Sequence, residues 1–212
     1  MKERPILFTG DMVRAILEGR KTQTRRVVKL DDGHSIFPTV GGGGWWTVRT
    51  QAVSHFPVTP RDIKCPYGVP GDTLWVKETW RPAWHEELYC SIQYAADSSY
   101  RKPEIADEDR GHRFADMCER SGDHAEPWHP SIHMWREFSR LTLLVKSVRV
   151  ERLQEISEAD AEAEGCEPAL PVADRRWVCG YRRLWESING AGSWANNPWV
   201  WVIGFKQSKE TR

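Results

Sequence analysis

Runs of β-type residues separated by Gly- and Pro-punctuated stretches run through most of this chain, and that rhythm constrains its fold more than any other feature. Thr73–Trp80, Leu141–Leu153 and Trp199–Lys206 are rich in β-branched and aromatic residues, and Leu88–Ala95 is a further run of the same kind. Ile6-Leu7-Phe8 reads as a short strand, followed by Thr9-Gly10 and an N-cap candidate at Asp11. Met12, Val13, Ile16 and Leu17 then share one helical face, with Gly19 where a left-handed C-cap belongs. Ser157 with Asp160 forms a capping-box pattern that opens a short helix ending at Gly165, and Tyr181–Ile188 predicts another helix. Helices are few and short and never alternate with strands in βαβ order. The expected class is therefore α+β, a small barrel or curved sheet with flanking helices.

Two stretches break the rhythm. Residues 31–70 contain the run Gly41 to Gly44 and the breakers Pro38, Pro57, Pro60, Pro66 and Pro70, so they predict an irregular insertion with one strand at Trp45–Thr50. The four glycines lack the Lys-Ser/Thr ending of a phosphate loop. Residues 97–128 are charged and loop-rich, a second insertion in what the length of 212 residues makes a single domain. No apolar run approaches the ~18 residues of a transmembrane helix, so no membrane partner is expected. Met1-Lys2-Glu3-Arg4-Pro5 lacks the apolar core of a signal peptide, and five scattered cysteines, an odd number, argue against a disulfide framework. Both point to a reducing cytoplasm.

Basic and acidic residues number thirty each, but they are unevenly spread. Residues 1–30 carry eight basic and three acidic side chains, and residues 104–126 carry eight acidic and three basic ones. A basic N-terminal patch attracts phosphate even on a neutral protein. Within it, Gly19-Arg20-Lys21-Thr22-Gln23-Thr24-Arg25-Arg26 packs an amine, two hydroxyls and three guanidiniums into eight residues directly after the first helix. Burial and neighbouring cations both disfavour the charged form of a lysine. Arg20, Arg25 and Arg26 supply such neighbours, so Lys21 is a candidate base and Thr24 beside it a candidate nucleophile. In one regular strand these two would point to opposite faces, so their cooperation requires a turn near Gly19-Arg20-Lys21.

Gly-Arg-Lys-Thr-x-Thr after an amphipathic helix resembles the opening motif of ASCH-domain proteins, whose core is a PUA-like β-barrel. Pro70-Gly71-Asp72-Thr73-Leu74-Trp75-Val76-Lys77-Glu78, the strand Val145–Leu153 running into Gln154-Glu155-Ile156-Ser157, and Trp199–Phe205 extend the resemblance. The whole chain is similar to the longer ASCH-containing proteins of phages and prophages, which implies the cytoplasm of a bacterial host. Its resemblance to the small bacterial N4-acetylcytidine amidohydrolases implies hydrolysis of an N4-acylated cytosine nucleoside or a similar small amide. Lysine, threonine and glutamate of that family fall on Lys21, Thr24 and Glu164, with Glu158 and Glu162 close by. Glu164 would end its helix, where the macrodipole disfavours a carboxylate and so favours a proton donor. No cofactor and no metal are implied. The partner is a nucleoside or nucleotide-type small molecule, with RNA as the alternative. In that second reading a non-catalytic module holds phosphate on the basic motif and stacks bases on tryptophan. Ribonuclease activity is a third reading, for which the sequence offers no clear His pair.

Further residues complete the candidate substrate-binding set of Arg20, Arg25, Arg26, Trp75, Lys77, Glu78 and His133. Trp75 and Lys77 share one strand face, and Glu78 shares the other with Trp80. His133 lies in Ser131-Ile132-His133-Met134, a segment similar to one in the phage proteins. His112, Cys118, His124, His129 and His133 match no zinc spacing. Trp199 and Trp201 lie in a strand apolar on both faces and read as core, and Trp194-Ala195-Asn196-Asn197-Pro198 reads as a turn.

Overall fold

The computed structural model describes residues 1–29, 34–37, 45–50, 61–85, 89–121, 127–169 and 176–208. In chain order, β1 (Glu3–Leu7), α1 (Gly10–Leu17) and β2 (Gln23–Val27) come first. They are followed by β3 (His34–Phe37), β4 (Trp45–Thr50), β5 (Arg61–Lys64), β6 (Thr73–Lys77), β7 (Trp80–His85), β8 (Tyr89–Tyr94) and β9 (Tyr100–Arg101). Then come α2 (Glu108–Ser121), β10 (Thr142–Arg152), α3 (Glu158–Ala163), α4 (Arg176–Asn189) and β11 (Trp199–Gln207). The class is α+β.

The main sheet has the order β1-β6-β10-β11-β2, with β1 and β6 parallel and the other pairs antiparallel. Its edges are β1 and β2, and no backbone ladder joins them among the described residues, so the sheet is open. They approach each other nonetheless, because Arg26 Nη2 on β2 donates to the Leu7 carbonyl of β1 at 2.5 Å. Alternation along β11 divides the core between the two faces. Trp201, Ile203 and Phe205 pack with Ile6, Phe8 and the α1 residues Met12, Val13 and Ile16. Val200 and Val202 pack on the other face with Ala161 of α3 and with Val178, Tyr181 and Trp185 of α4. Trp201 is buried as expected, whereas Trp199 is only partly buried and lies beneath the Arg152 guanidinium at 4.3 Å. In the 194–197 turn, Asn197 Oδ1 accepts from the Gln154 backbone N–H at 2.9 Å.

Several local expectations change. Thr9, not Asp11, is the N-cap of α1, and Asp11 in the first turn pairs with Arg14. The predicted strand 73–80 ends at Lys77, and Trp80 begins a separate sheet of order β7-β8-β9. Residues 31–70 hold a three-stranded antiparallel sheet, β3-β4-β5, instead of one strand. Gly41 to Gly44 lie outside the described residues. The 97–128 insertion contains α2, whose Phe114 and Cys118 are buried and whose Met117 is partly buried against the β7–β8 hairpin. That i, i+3, i+4 stripe is only three residues wide, and the charges around it conceal it. No helix among the described residues is long and apolar enough to cross a membrane.

Candidate functional site

The segment after α1 is turned back by Gly19, whose φ of +75° suits glycine alone at low cost. Lys21 N–H then bonds the Ala15 carbonyl at 2.9 Å, and regular strand begins only at Gln23. The turn that cooperation of Lys21 and Thr24 requires is thus present before β2. Across from it, α3 starts at Ser157, whose hydroxyl accepts from Asp160 N–H at 3.1 Å, and ends at Glu164.

A helix C-terminus leaves carbonyls without intrahelical partners. Here three consecutive ones are taken by the basic segment. Thr22 N–H donates to Ala163 at 2.9 Å, Lys21 Nζ to Glu164 at 2.8 Å, and Arg20 Nη1 to Gly165 at 3.0 Å. Cations at this end also meet the negative pole of the helix dipole. Gly165, at φ +72°, lets the two segments approach, because a Cβ there would lie 2.8 Å from Lys21 Cβ and 2.9 Å from Ala15 Cβ.

Glu164 is the hub. Its Oε2 accepts from Lys21 Nζ at 3.0 Å and its Oε1 from Arg25 Nη1 at 3.0 Å, all three side chains being essentially inaccessible. Arg25 also holds Glu151, through Nε at 3.1 Å and through Nη2, and reaches Asp160 Oδ2 at 3.3 Å. Arg149 closes the circuit, bonding Glu151 at 3.0 Å and Asp160 at 2.8 Å. Three cations, Lys21, Arg25 and Arg149, therefore face three carboxylates. Burial holds the Lys21 ammonium below its ordinary pKa; the Glu164 carboxylate opposes that, and the Arg26 guanidinium adds to it. Of the three arginines expected to press on Lys21, Arg26 acts this way, while Arg20 is engaged with Glu18 at 2.7 Å and Arg25 with its carboxylates. Burial favours the neutral acid at Asp160, yet Arg149 and Arg25 outweigh it and hold that carboxyl below its usual range.

A small pocket, with a cavity volume of about 50 Å³, opens at the edge strand β2. Thr24, Arg25, Arg26 and Val27 line it from β2, and Glu164 from the end of α3. Met12 of α1 and Tyr181, Leu184, Trp185, Ile188 and Asn189 of α4 complete the wall. Lys21 reaches the pocket through Glu164 and lies 5.6 Å from the centre of the Phe8 ring, over which Arg26 stands at 5.2 Å. Lys21, Thr24 and Glu164 are thus brought together, with Arg25 and Arg26 beside them.

The other candidates lie outside the pocket. Arg20 is half-exposed, bound to Glu18 and Gly165. Lys77 does share the Trp75 face, 5.4 Å from the ring, but its Nζ donates to the Ile132 carbonyl. Glu78 is buried against Arg140, with contacts of 2.9 and 2.8 Å, and His133 is exposed on the turn Ser131–His133. Sequence reading passed over Tyr181, Glu151, Asp160 and Arg149 as site residues. The signal for two of them is an i, i+2 pair of opposite charges in mid-strand at Arg149 and Glu151. Among the described residues no group of three or more His, Cys, Asp or Glu is placed to hold a metal, and His124 lies outside them.

Comparison with protein-family models, with curated proteins and with solved structures finds no match for this chain.

Proposed function

We propose that the protein is an ASCH-type amidohydrolase that cleaves an N4-acylated cytosine nucleoside or a similar small amide. The curled five-stranded sheet, its edges drawn together beside α1, would be an open form of the PUA-like core. One observation carries the reading: a buried lysine held below its ordinary pKa is bonded to a carboxylate that shares a small pocket with a threonine. Nucleophilic acyl transfer calls for a hydroxyl close to such a base.

In this mechanism Thr24 Oγ forms a bond to the acyl carbon and its proton goes to neutral Lys21 Nζ. The proton crosses the 3.0 Å contact to Glu164 and moves on to the departing exocyclic amine as the carbon–nitrogen bond breaks. Water then adds to the acyl-threonine, and the carboxylic acid leaves with the Thr24 hydroxyl restored. Burial of Lys21 favours the neutral base, and Arg25 fixes the Glu164 carboxylate in place.

The balance of charge supports this reading over an RNA-binding module. Arg25 is enclosed by Glu151, Asp160 and Glu164, so its guanidinium is not free to hold phosphate, and Arg26 gives one N–H to the Leu7 carbonyl. Met12, Val27, Leu184 and Ile188 give the pocket an apolar wall, which favours an uncharged base or nucleoside. Incubation with N4-acetylcytidine should release cytidine, and Thr24→Val, which removes the hydroxyl at nearly constant volume, should abolish the release. Folded wild-type protein without turnover would remove this substrate.

A further inference from the structure

The α4 wall of the pocket is not used by the proposed proton transfers. Tyr181 and Trp185 stand one turn apart there, both buried, both lining the pocket, with ring centroids 6.2 Å apart. The Trp185 Nε1–H is shielded from solvent and has no hydrogen-bond partner. Indole N–H groups at Trp80 and Trp199 share that condition, but neither residue lines the pocket. Buried donors are almost always satisfied, so one left unpaired on a residue that lines a pocket marks where an acceptor arrives. Burial keeps the Tyr181 hydroxyl protonated, pushing it well above 10, so it too is a donor. Met12, Val27, Leu184 and Ile188 supply apolar wall around these two groups.

We infer that Trp185 reads a carbonyl oxygen on the ligand through its indole N–H, with Tyr181 as a second donor, so that the pocket selects a neutral planar ring bearing an oxo group. The inference rests on the proposed site, and it concerns recognition instead of hydrolysis. A cytosine ring meets the requirement through its own carbonyl. A site built around a donor discriminates strongly against an analogue that lacks the acceptor.

The test uses ¹⁵N-labelled wild-type protein with the Trp185 indole resonance sequentially assigned. Cytidine should shift that resonance, and 4-acetamidopyridine, a planar amide without a ring carbonyl, should not. In parallel, the ratio of dissociation constants for 4-acetamidopyridine and N4-acetylcytosine should fall at least ~10-fold in Trp185→Phe, with Tyr181→Phe as the second, nearly isosteric variant. An indole shift with cytidine in a protein that hydrolyses nothing would end the proposed reaction and leave this inference standing. Hydrolysis with an unmoved indole resonance, or with an unchanged ratio in Trp185→Phe, would overturn the inference and leave the reaction. An indole resonance indifferent to both ligands overturns it as well. Because the titration is done on wild type, a variant that fails to fold does not block the decision.

Discussion

Replacing Glu164 by Gln leaves a buried lysine without its counter-charge, and the structure says which partner is harmed. Arg25 keeps Glu151 and Asp160, but Glu164 is the carboxylate paired with Lys21, which otherwise bonds a backbone carbonyl. Breaking a buried pair from one side costs about 3–5 kcal/mol. For a chain of 212 residues that corresponds to a fall in Tm of roughly 6–20 °C. The pH dependence follows from Lys21. Its folded-state pKa lies below the ordinary 10.5, so the unfolded chain binds more protons between the two values and stability rises with pH there. The cost of the buried charge is complete below the folded-state pKa and gone above 10.5. In Glu164→Gln the group that raises that pKa is lost, so the window widens downwards. The deficit relative to wild type should therefore be largest below the variant's folded-state pKa and shrink as pH rises from there to the wild-type one. Lys21→Met combined with Glu164→Gln should recover most of the loss, since a neutral replacement of both partners is often tolerated. Thermal melts of the wild type, both single variants and the double variant from pH 6 to 9 make the measurement. A Gln variant melting within a degree of wild type at pH 6, or a deficit that grows with pH, refutes the reasoning.

Lys21→Arg should lower turnover of N4-acetylcytidine at least ~100-fold, because guanidinium cannot accept a proton at neutral pH. In wild type, activity should rise as pH climbs through the lowered Lys21 pKa, and a pH–rate profile checks both statements. Gly165→Ala should destabilise by about 2 kcal/mol or more, from a left-handed backbone and a Cβ 2.8 Å from that of Lys21, read as a lower urea midpoint at unchanged slope. Arg140→Met should cost about 3–5 kcal/mol by stripping buried Glu78 of its cation. Burial already pushes the Glu78 carboxyl above 4.5 against the pull of Arg140, so the loss should grow as pH rises through that raised value, which urea melts at pH 4.5 and 7 will show.

The parts of the fold legible in the sequence are those where one residue type serves one purpose. The run Thr142–Arg152 and its partner Trp199–Gln207 announce themselves by β-branched and aromatic density, and Gly19 and Gly165 both adopt the positive φ that ended the predicted helices. The break at Lys77 is different. Glu78 has the alternation of a strand residue, but its carboxylate is drawn to Arg140, 62 positions away, and no local pattern carries that information. The helix α2 was hidden for a related reason. Its packing face consists of Phe114, Met117 and Cys118, and the rest of its 14 residues include Gly111 and a majority of charged side chains. Tertiary packing against the β7–β8 hairpin selects a helix that local propensity leaves ambiguous.

The site divides along the same line. Lys21, Thr24 and Glu164 belong to segments whose local shape is set by a glycine turn and a serine cap, so their positions follow from short-range rules. The role of Arg25 depends on register across three strands. Val202 pairs with Arg25 on one side and with Arg149 on the other, so the two arginines share a sheet face about two strand spacings apart, roughly 10 Å. Glu151, two residues further along β10, and Asp160 on α3 close the gap between them. Charge in a linear segment therefore misleads: Arg25 is read as part of a phosphate footprint until the carboxylates that neutralise it are located 126 to 139 residues away. Once they are, Arg25 is the clamp that holds Glu164 at the pocket, its charge balanced by the fold's own carboxylates.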